Sequence, residues 1–485
     1  MRVRLSLATA VLASALVPAA IAETPRAARP NIVLLLADDQ TWSSSGVYGN
    51  QDVKTPNLDR LAAQGMRFDA AFTATAMCAP TRQQLYTGLY PVRSGAYPNH
   101  AWVKPGTRSL VHVFRDLGYR VGLTGKTHIG PPESFPFEVI GTARDGDLIE
   151  VDLEAAARFI QRDATQPFFL VVASNSPHEP WTHGDGSAFD RAAISVPGWL
   201  ADTPQTRESL ARYYAEVTHF DAQVGAILDA LERAGRTSDT LVLYTSEQGA
   251  SLPFAKWTLY DAGIKTAMVV RWPGQVKPGA STSAMVAYVD VLPTLYEAAG
   301  GKSGPLDLDG RSFLEVLLGT RASHRDHVFG VHTNRGIVAG SDYPIRSVRS
   351  QRYKLISNLS PGSQYANILT APRTRALLDS WKAAGEAGDA HAAARYHDYL
   401  WRPAVELYDL AADPHELRDL ANDPSVASVR RDLQARLDAW MAEQGDGGML
   451  TETKALEHIN PEVVNSVRRE TELTGADPSK PRRRP

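Results

Sequence analysis

Cysteine is nearly absent: among 485 residues there is one, Cys78. A single thiol can form neither a disulfide within the chain nor a thiolate zinc centre, both of which need more than one sulfur. An excess of one charge is lacking too. Lys plus Arg total 51 against 54 Asp plus Glu, a formal net charge of −3, so no overall basic field exists to hold nucleic acid. Past the N-terminal region no apolar run approaches membrane-spanning length, and there is no internal repeat or low-complexity segment. With 43% hydrophobic and 22% charged residues, the composition is that of a globular protein able to build one large domain and a smaller one.

Residues 1–22 have the layout of a secretory signal peptide. Arg2 and Arg4 precede an apolar run from Leu5 to Ile21, which closes on Ala20-Ile21-Ala22. The expectation is a periplasmic or secreted protein, free of the membrane once this segment is cleaved. Exported chains ordinarily carry paired cysteines or none. Taken alone, Cys78 reads as a buried, inert thiol; its neighbours must decide.

Four apolar runs have the continuous composition of buried parallel strands: Ile32 to Ala37, Val121 to Thr124, Phe168 to Ala173 and Leu241 to Thr245. Helical patterns lie between them. Thr55 and Pro56 open one that Gly65 ends, and apolar residues recur at helical spacing from Glu208 to Ala234, where Gly235 stops them. This alternation predicts an α/β fold with a mostly parallel sheet. Asp38-Asp39 follow the first strand, Lys126-Thr127-His128 the second, Pro177-His178 the third and Glu247-Gln248 the fourth. Ligands of open α/β sheets bind at the carboxyl ends of the strands, so these residues are expected to meet in one site.

Beyond about residue 340 the texture changes. Arg346 to Ile356 alternates like an antiparallel hairpin, and Pro424 to Glu443 reads as an amphipathic helix. The expected organisation is a catalytic domain over 23–340 and a smaller α+β domain over 341–485, the break falling between Gly319 and Tyr343. The Pro- and Arg-rich tail from Asp477 to Pro485 reads as a frayed, solvated end.

Cys78 lies in Cys78-Ala79-Pro80-Thr81-Arg82, with Thr87-Gly88 closing the segment. Pro80 suits a first helical turn, which puts Cys78 at a helix N-terminus, where backbone N–H groups favour an anion. The segment resembles the sulfatase signature C-x-P-x-R. Asp38-Asp39, Gly125-Lys126-Thr127-His128, Pro177-His178, Arg271-Trp272-Pro273-Gly274 and Glu406-Leu407-Tyr408-Asp409-Leu410, with Asp413-Pro414 and Glu416, match further sulfatase landmarks in order. The resemblance runs from about Pro30 to Trp440. It implies the alkaline-phosphatase-like sulfatase fold, a large sheet sandwiched by helices plus a smaller C-terminal domain.

The resemblance also implies chemistry. A maturation enzyme would oxidise Cys78 to formylglycine, whose hydrate is the nucleophile; one of its oxygens attacks sulfur and the other later expels sulfate by re-forming the aldehyde. Arg82 would hold the hydrate. Lys126 and His128 would neutralise the sulfuryl oxygens and assist aldehyde regeneration, and His178 and Lys256 are the candidates to protonate the leaving group. Asp38, Asp39, Cys78 as formylglycine, Glu247 and Gln248 would hold a hard cation, Ca²⁺ in preference to Mg²⁺. Glu247-Gln248 departs from the family's usual Asp followed by Asn or His; each side chain is one methylene longer and keeps an oxygen.

Within the family the chain resembles the sulfamidase group, the N-sulfoglucosamine sulfohydrolases that act on heparan fragments. Gln166 to Leu170 before Pro177-His178 resembles that group, as does Asp342 to Arg349; Ser246 to Gly249 with Phe254 to Trp257 resembles bacterial relatives. Trp181 and Trp257 would stack on a sugar ring or belong to the core. Asp342 and Arg346 would read sugar hydroxyls or a uronate, or equally form a salt bridge. The leading expectation is removal of the N-sulfate from terminal glucosamine of heparin- or heparan-type glycans. The alternatives are an O-sulfatase on a sulfated sugar, a phosphonate or phosphodiester hydrolase on the same fold, and a sulfated-glycan binding protein should Cys78 never be converted. A homodimer is compatible with the sequence.

Overall fold

The computed structural model describes residues 29–460 apart from 142, 146–147, 303–305, 336 and 338–341. Residues 1–22, expected to be a signal peptide, and the basic tail lie outside the described residues. The first strands are β1 (Asn31–Ala37), β2 (Met66–Phe72), β3 (Arg120–Gly125) and β4 (Glu138–Val139). A small hairpin, β5 (Ala143–Asp145) with β6 (Leu148–Glu150), stands apart. Then come β7 (Phe168–Ala173), β8 (Thr240–Ser246), β9 (Lys265–Arg271), β10 (Ala280–Thr282) and β11 (Val286–Ala287). They form one sheet in the order β10-β2-β9-β8-β1-β7-β3-β4, with β11 also on β2. All pairings are parallel except those of β9, which runs against both β2 and β8.

β1 is apolar throughout because both of its faces are covered. Ile32, Leu34 and Leu36 enter one core, Val33, Leu35 and Ala37 the other. β7 and β8 divide their side chains in the same way. On one face, helices Pro56–Ala63, Leu153–Gln161 and Pro204–Arg233 pack through Leu58, Phe159, Val224 and Ile227. On the other, Leu110–Asp116 and Val291–Ala298 pack through Val111, Phe114 and Leu295. The result is a three-layered α/β sandwich. The long helix starts before the expected Glu208: Thr203 caps it through the Thr206 N–H and Pro204 takes the first position.

Past this sheet lie β12 (Val328–His332), β13 (Ile345–Arg349), β14 (Tyr353–Asn358) and β15 (Val405–Asp409), an antiparallel sheet in chain order. Its first strand begins at Val328, within the stretch from Gly319 to Tyr343. Helix Ala427–Glu443 covers it through Leu433, Leu437 and Trp440, the last stacked on Phe329 at 4.9 Å. One hydrophobic core runs from Val348 and Leu355 of this sheet to Trp257 and Leu259 beside the catalytic segment, so the two sheets share an interior. None of the helices among the described residues is long and apolar enough to cross a membrane.

Candidate active site

β1 lies between β7 and β8, with β3 beyond β7, so the four expected strands end along a single edge. The backbone continues the ladder one step further. Glu247 N–H donates to Ala37 O at 3.0 Å, Lys126 N–H to Ala173 O at 2.8 Å, and Asp38 N–H to Ser176 O at 3.2 Å. Gly125 is required at the turn into Lys126: its φ is +89°, and a Cβ there would stand 2.1 Å from Ala173 O.

Cys78 is the first residue of helix Cys78–Thr87, whose side chains are all buried and which Gly88 ends at φ +69°. Met77 supplies no side-chain cap. Asn99, twenty residues on, does so instead, accepting from Ala79 N–H at 3.3 Å. Cys78 Sγ lies 3.7 Å from Asp38 Oδ1 and 3.3 Å from Gln248 Nε2. Burial and Asp38 push this thiol up, but Lys126, Lys256 and a hydrogen bond with His178 outweigh them and leave it well below its ordinary range. A helical turn later, Arg82 is fully buried, donates to Lys126 O at 2.8 Å and pairs with Glu247 and with Asp38 at 3.7 Å.

The remaining donors face the same carboxylates. Lys126 pairs with Asp38, while Lys256 Nζ stands 2.6 Å and His178 Nε2 3.6 Å from Asp39 Oδ2. Burial and Lys256 push His178 down, yet Asp39 and Asp38 hold it above its ordinary value. His128 Nε2 meets His100 Nδ1 at 2.8 Å. Asp39, His100, His128 and Trp257 all have positive φ, a costly backbone state for residues other than glycine that gathers where a site over-determines the chain.

Ligand atoms of Asp38, Asp39, Cys78 and Glu247 lie within 4.8 Å of one another, all buried. Burial raises all three carboxyls; Lys126, His178 and Arg82 bring Asp38 well below its usual range, whereas Asp39 and Glu247 stay above theirs. A divalent cation relieves such crowding. Gln248 fits the same purpose. Its Oε1 has no hydrogen-bond partner among the described residues, while its Nε2 faces Asp39 Oδ1 at 2.7 Å, and turning the amide over exchanges the two atoms. The Cys78 sulfur aside, these donors are oxygens, the ligand type that suits a hard divalent cation.

Not every expected residue joins the site. Arg346 is fully buried and its guanidinium is held by both oxygens of Asp446 and by His332 O, so it is not available to a sugar. Asp342 pairs with Arg335 at 2.8 Å. Trp257 is 3% exposed with Lys256 Nζ 4.9 Å from its ring centre, which makes it a wall rather than a stacking platform. Trp181 is half-buried and hydrogen-bonds Pro177 O at 3.0 Å, beside His178. Arg271 ends antiparallel β9 opposite Val242, on the far edge of the sheet. The Glu406 and Glu416 motif fastens the second sheet to the segment after Trp257: Glu406 accepts from Tyr260 Oη at 2.7 Å, and Glu416 from Asp261 N–H at 2.6 Å. Asn99, His100 and Glu216 join the site without a motif to mark them; Glu216 accepts from Ser176 Oγ and from the N–H groups of Thr182 and His183, bracing the His178 loop.

A mixed α/β sandwich with a cysteine at a helix N-terminus, facing acids and cations from four strand ends, is the architecture of a sulfate-transferring hydrolase. The chain belongs to the sulfatase family, whose model matches residues 30–301, and it is a sulfuric ester or sulfamate hydrolase. A second model, N-sulphoglucosamine sulphohydrolase, C-terminal, matches residues 249–367. The chain is 34% identical to an ulvan-active sulfatase of Formosa agariphila, over 86% of this chain and 81% of that protein. It is 32% identical to the N-sulphoglucosamine sulphohydrolase of Homo sapiens, over 86% and 91%. Among solved structures, one in complex with its substrate D-glucosamine-2-N,6-O-disulfate aligns at TM-score 0.66 and 20% identity, covering 86% of this chain and 99% of that one.

Proposed function

We propose that the protein removes the N-sulfate from glucosamine at the non-reducing end of heparin- or heparan-type saccharides, after export to the periplasm or beyond. The observation that carries this reading is the convergence of two proton donors, His178 and Lys256, on one oxygen of Asp39 beside Cys78. An amine cannot leave as its anion, so breaking an S–N bond requires a proton delivered to nitrogen as the bond breaks. The match to the N-sulphoglucosamine sulphohydrolase C-terminal model supports the same substrate.

Converted to formylglycine by a maturation enzyme, residue 78 would supply a hydroxyl nucleophile for sulfur. Arg82 holds that position from one helical turn away, and Lys126 and His128 face the sulfuryl oxygens. Asp38, Asp39, Glu247 and Gln248, with residue 78, would hold Ca²⁺, which when bound supplies the positive charge that polarises the sulfate and favours an ionised nucleophile.

The ulvan-active relative favours a second reading, an O-sulfatase on a sulfated polysaccharide. Product analysis separates the two. Glucosamine N-sulfate, glucosamine 6-O-sulfate and sulfated ulvan oligosaccharides are offered to protein whose Cys78 peptide shows oxygen in place of sulfur by mass spectrometry. Release of sulfate from the N-sulfate alone is the expected outcome; activity confined to an O-sulfate overturns the substrate, and full activity with an intact Cys78 thiol overturns the nucleophile.

A further inference from the structure

Glu179 follows His178 directly, and neither the sulfatase landmarks nor the cation site uses its side chain. Its backbone carbonyl can only accept, and it takes a hydrogen bond from His178 Nδ1. That bond ties the main chain of Glu179 to a ring whose Nε2 faces Asp39. The side chain is anchored as well. Ser251 Oγ, on the segment that runs from Gln248 to Lys256, donates to Glu179 Oε2 at 2.8 Å. A carboxylate accepts at both oxygens, so this bond leaves Oε1 to take a second donor.

Exposure tells which side of the site is open. Asp38, Asp39, Arg82, Glu247 and Gln248 are fully buried and Lys256 nearly so, whereas the side chains of His178 and Lys126 keep 29% and 16% of their surface. Glu179 is half-buried on the His178 side, and so, two residues on, is Trp181, held by Pro177 O. The cations inside attract any anion; Glu179 sets a carboxylate at the way in. Burial and, more weakly, Asp39 raise that carboxyl, while Ser251, Lys256 and His178 favour its ionised form.

We propose that Glu179 is a specificity-determining residue: its carboxylate accepts a hydroxyl of the sugar that carries the scissile sulfate, and it turns away a sugar bearing a second sulfate on the same ring. An acceptor already anchored by Ser251 loses little freedom when the sugar arrives. A sulfate in the hydroxyl's place offers no proton and brings a like charge. The inference rests on the reading of a sulfated sugar as substrate, and not on which of its sulfates is cleaved.

The test compares kcat/KM for the monosulfated saccharide that the matured enzyme hydrolyses with kcat/KM for its disulfated counterparts; for glucosamine N-sulfate these are the forms also sulfated at the 3-O or 6-O position. The wild type should prefer the monosulfated sugar to at least one of them. Glu179→Gln keeps an acceptor for Ser251 and loses the charge, so it should shrink that preference on the order of 10-fold, through KM more than kcat. Glu179→Lys should reverse it. The wild-type preference should also weaken at high salt, a reading that needs no variant. A wild type that favours every disulfated form overturns the proposal, as does a Glu179→Gln enzyme with an unaltered thermal melt that keeps the preference. Equal losses on both kinds of sugar overturn it too, because they would leave Glu179 only the task of holding His178. The comparison is run on whichever sulfate the enzyme cleaves, so failure of the N-sulfate assignment and failure of this proposal are told apart.

Discussion

Lys256 Nζ stands 2.6 Å from Asp39 Oδ2, with both side chains buried, and this one oxygen also receives His178. A carboxylate proposed to hold a cation thus also orients the two groups proposed to protonate the leaving nitrogen. Losing one partner of a buried ion pair ordinarily costs about 3–5 kcal/mol, because the other charge is left uncompensated. Lys256→Met should destabilise the metal-free protein by an amount of that order, and by clearly less in excess Ca²⁺. Urea denaturation with chelator and with Ca²⁺ reads the difference; an equal loss under both conditions would remove Asp39 from the cation site. In the unsubstituted enzyme, chelation should abolish activity and Ca²⁺ restore it.

His178→Ala should damage sulfamate hydrolysis far more than aryl sulfate hydrolysis. A phenolate leaves unaided, whereas the amine needs its proton, and loss of a general acid costs on the order of 10²–10⁴ in rate. Steady-state kinetics on the two substrates decide it, and equal losses on both count against His178 as the acid.

Glu216 is buried on helix Pro204–Arg233 and accepts from Ser176 Oγ at 2.8 Å and from Thr182 N–H at 2.6 Å. Glu216→Ala leaves those donors without partners, at a cost on the order of 3 kcal/mol, and frees the loop that carries His178. kcat should fall with it. Glu216→Gln keeps an acceptor for the backbone and should recover most of both. A Glu216→Ala enzyme with unchanged kcat would show that the loop holds itself.

Glu452 supplies a pH test away from the catalytic groups. Burial raises its carboxyl from 4.5 to about 7, against a Thr333 hydrogen bond and the charge of Arg346. Its Oε2 has no hydrogen-bond partner among the described residues. The folded state then binds a proton that the unfolded chain has already released between those two values, so this group's contribution to stability falls as pH rises through the window. Glu452→Gln should flatten that decline and make the protein more stable than the unsubstituted chain at pH 8, with little difference at pH 5. Glu416, also raised to about 7 by burial, has the same sign and will leave a residual slope. Denaturation midpoints at the two pH values check it; parallel profiles would remove Glu452 from the account.

What the sequence revealed follows from where packing is uniform. β1, β7 and β8 read as continuous apolar runs because both faces are buried, and the polar residues after them had to stand on one edge. β2 escaped because Arg67 and Asp69 interrupt it on its half-exposed face, and β9 because an antiparallel strand reverses the polarity that strand order suggests. For Arg346 the sequence leaves a sugar contact and a salt bridge equally open, because its partner, Asp446, lies 100 residues later, a distance no local pattern spans. His100 follows no strand and sits in no motif. Its tie to the site is a hydrogen bond to His128, visible only once the chain is folded.

Cys78 is 2% exposed, walled in by the carboxylates and cations that would later use it. The maturation enzyme proposed above could not reach this side chain in the finished fold, so the proposed conversion would have to win a race against folding. Two chains of identical sequence, one intercepted in time and one not, would then leave that race with the same shape and with only one of them able to act.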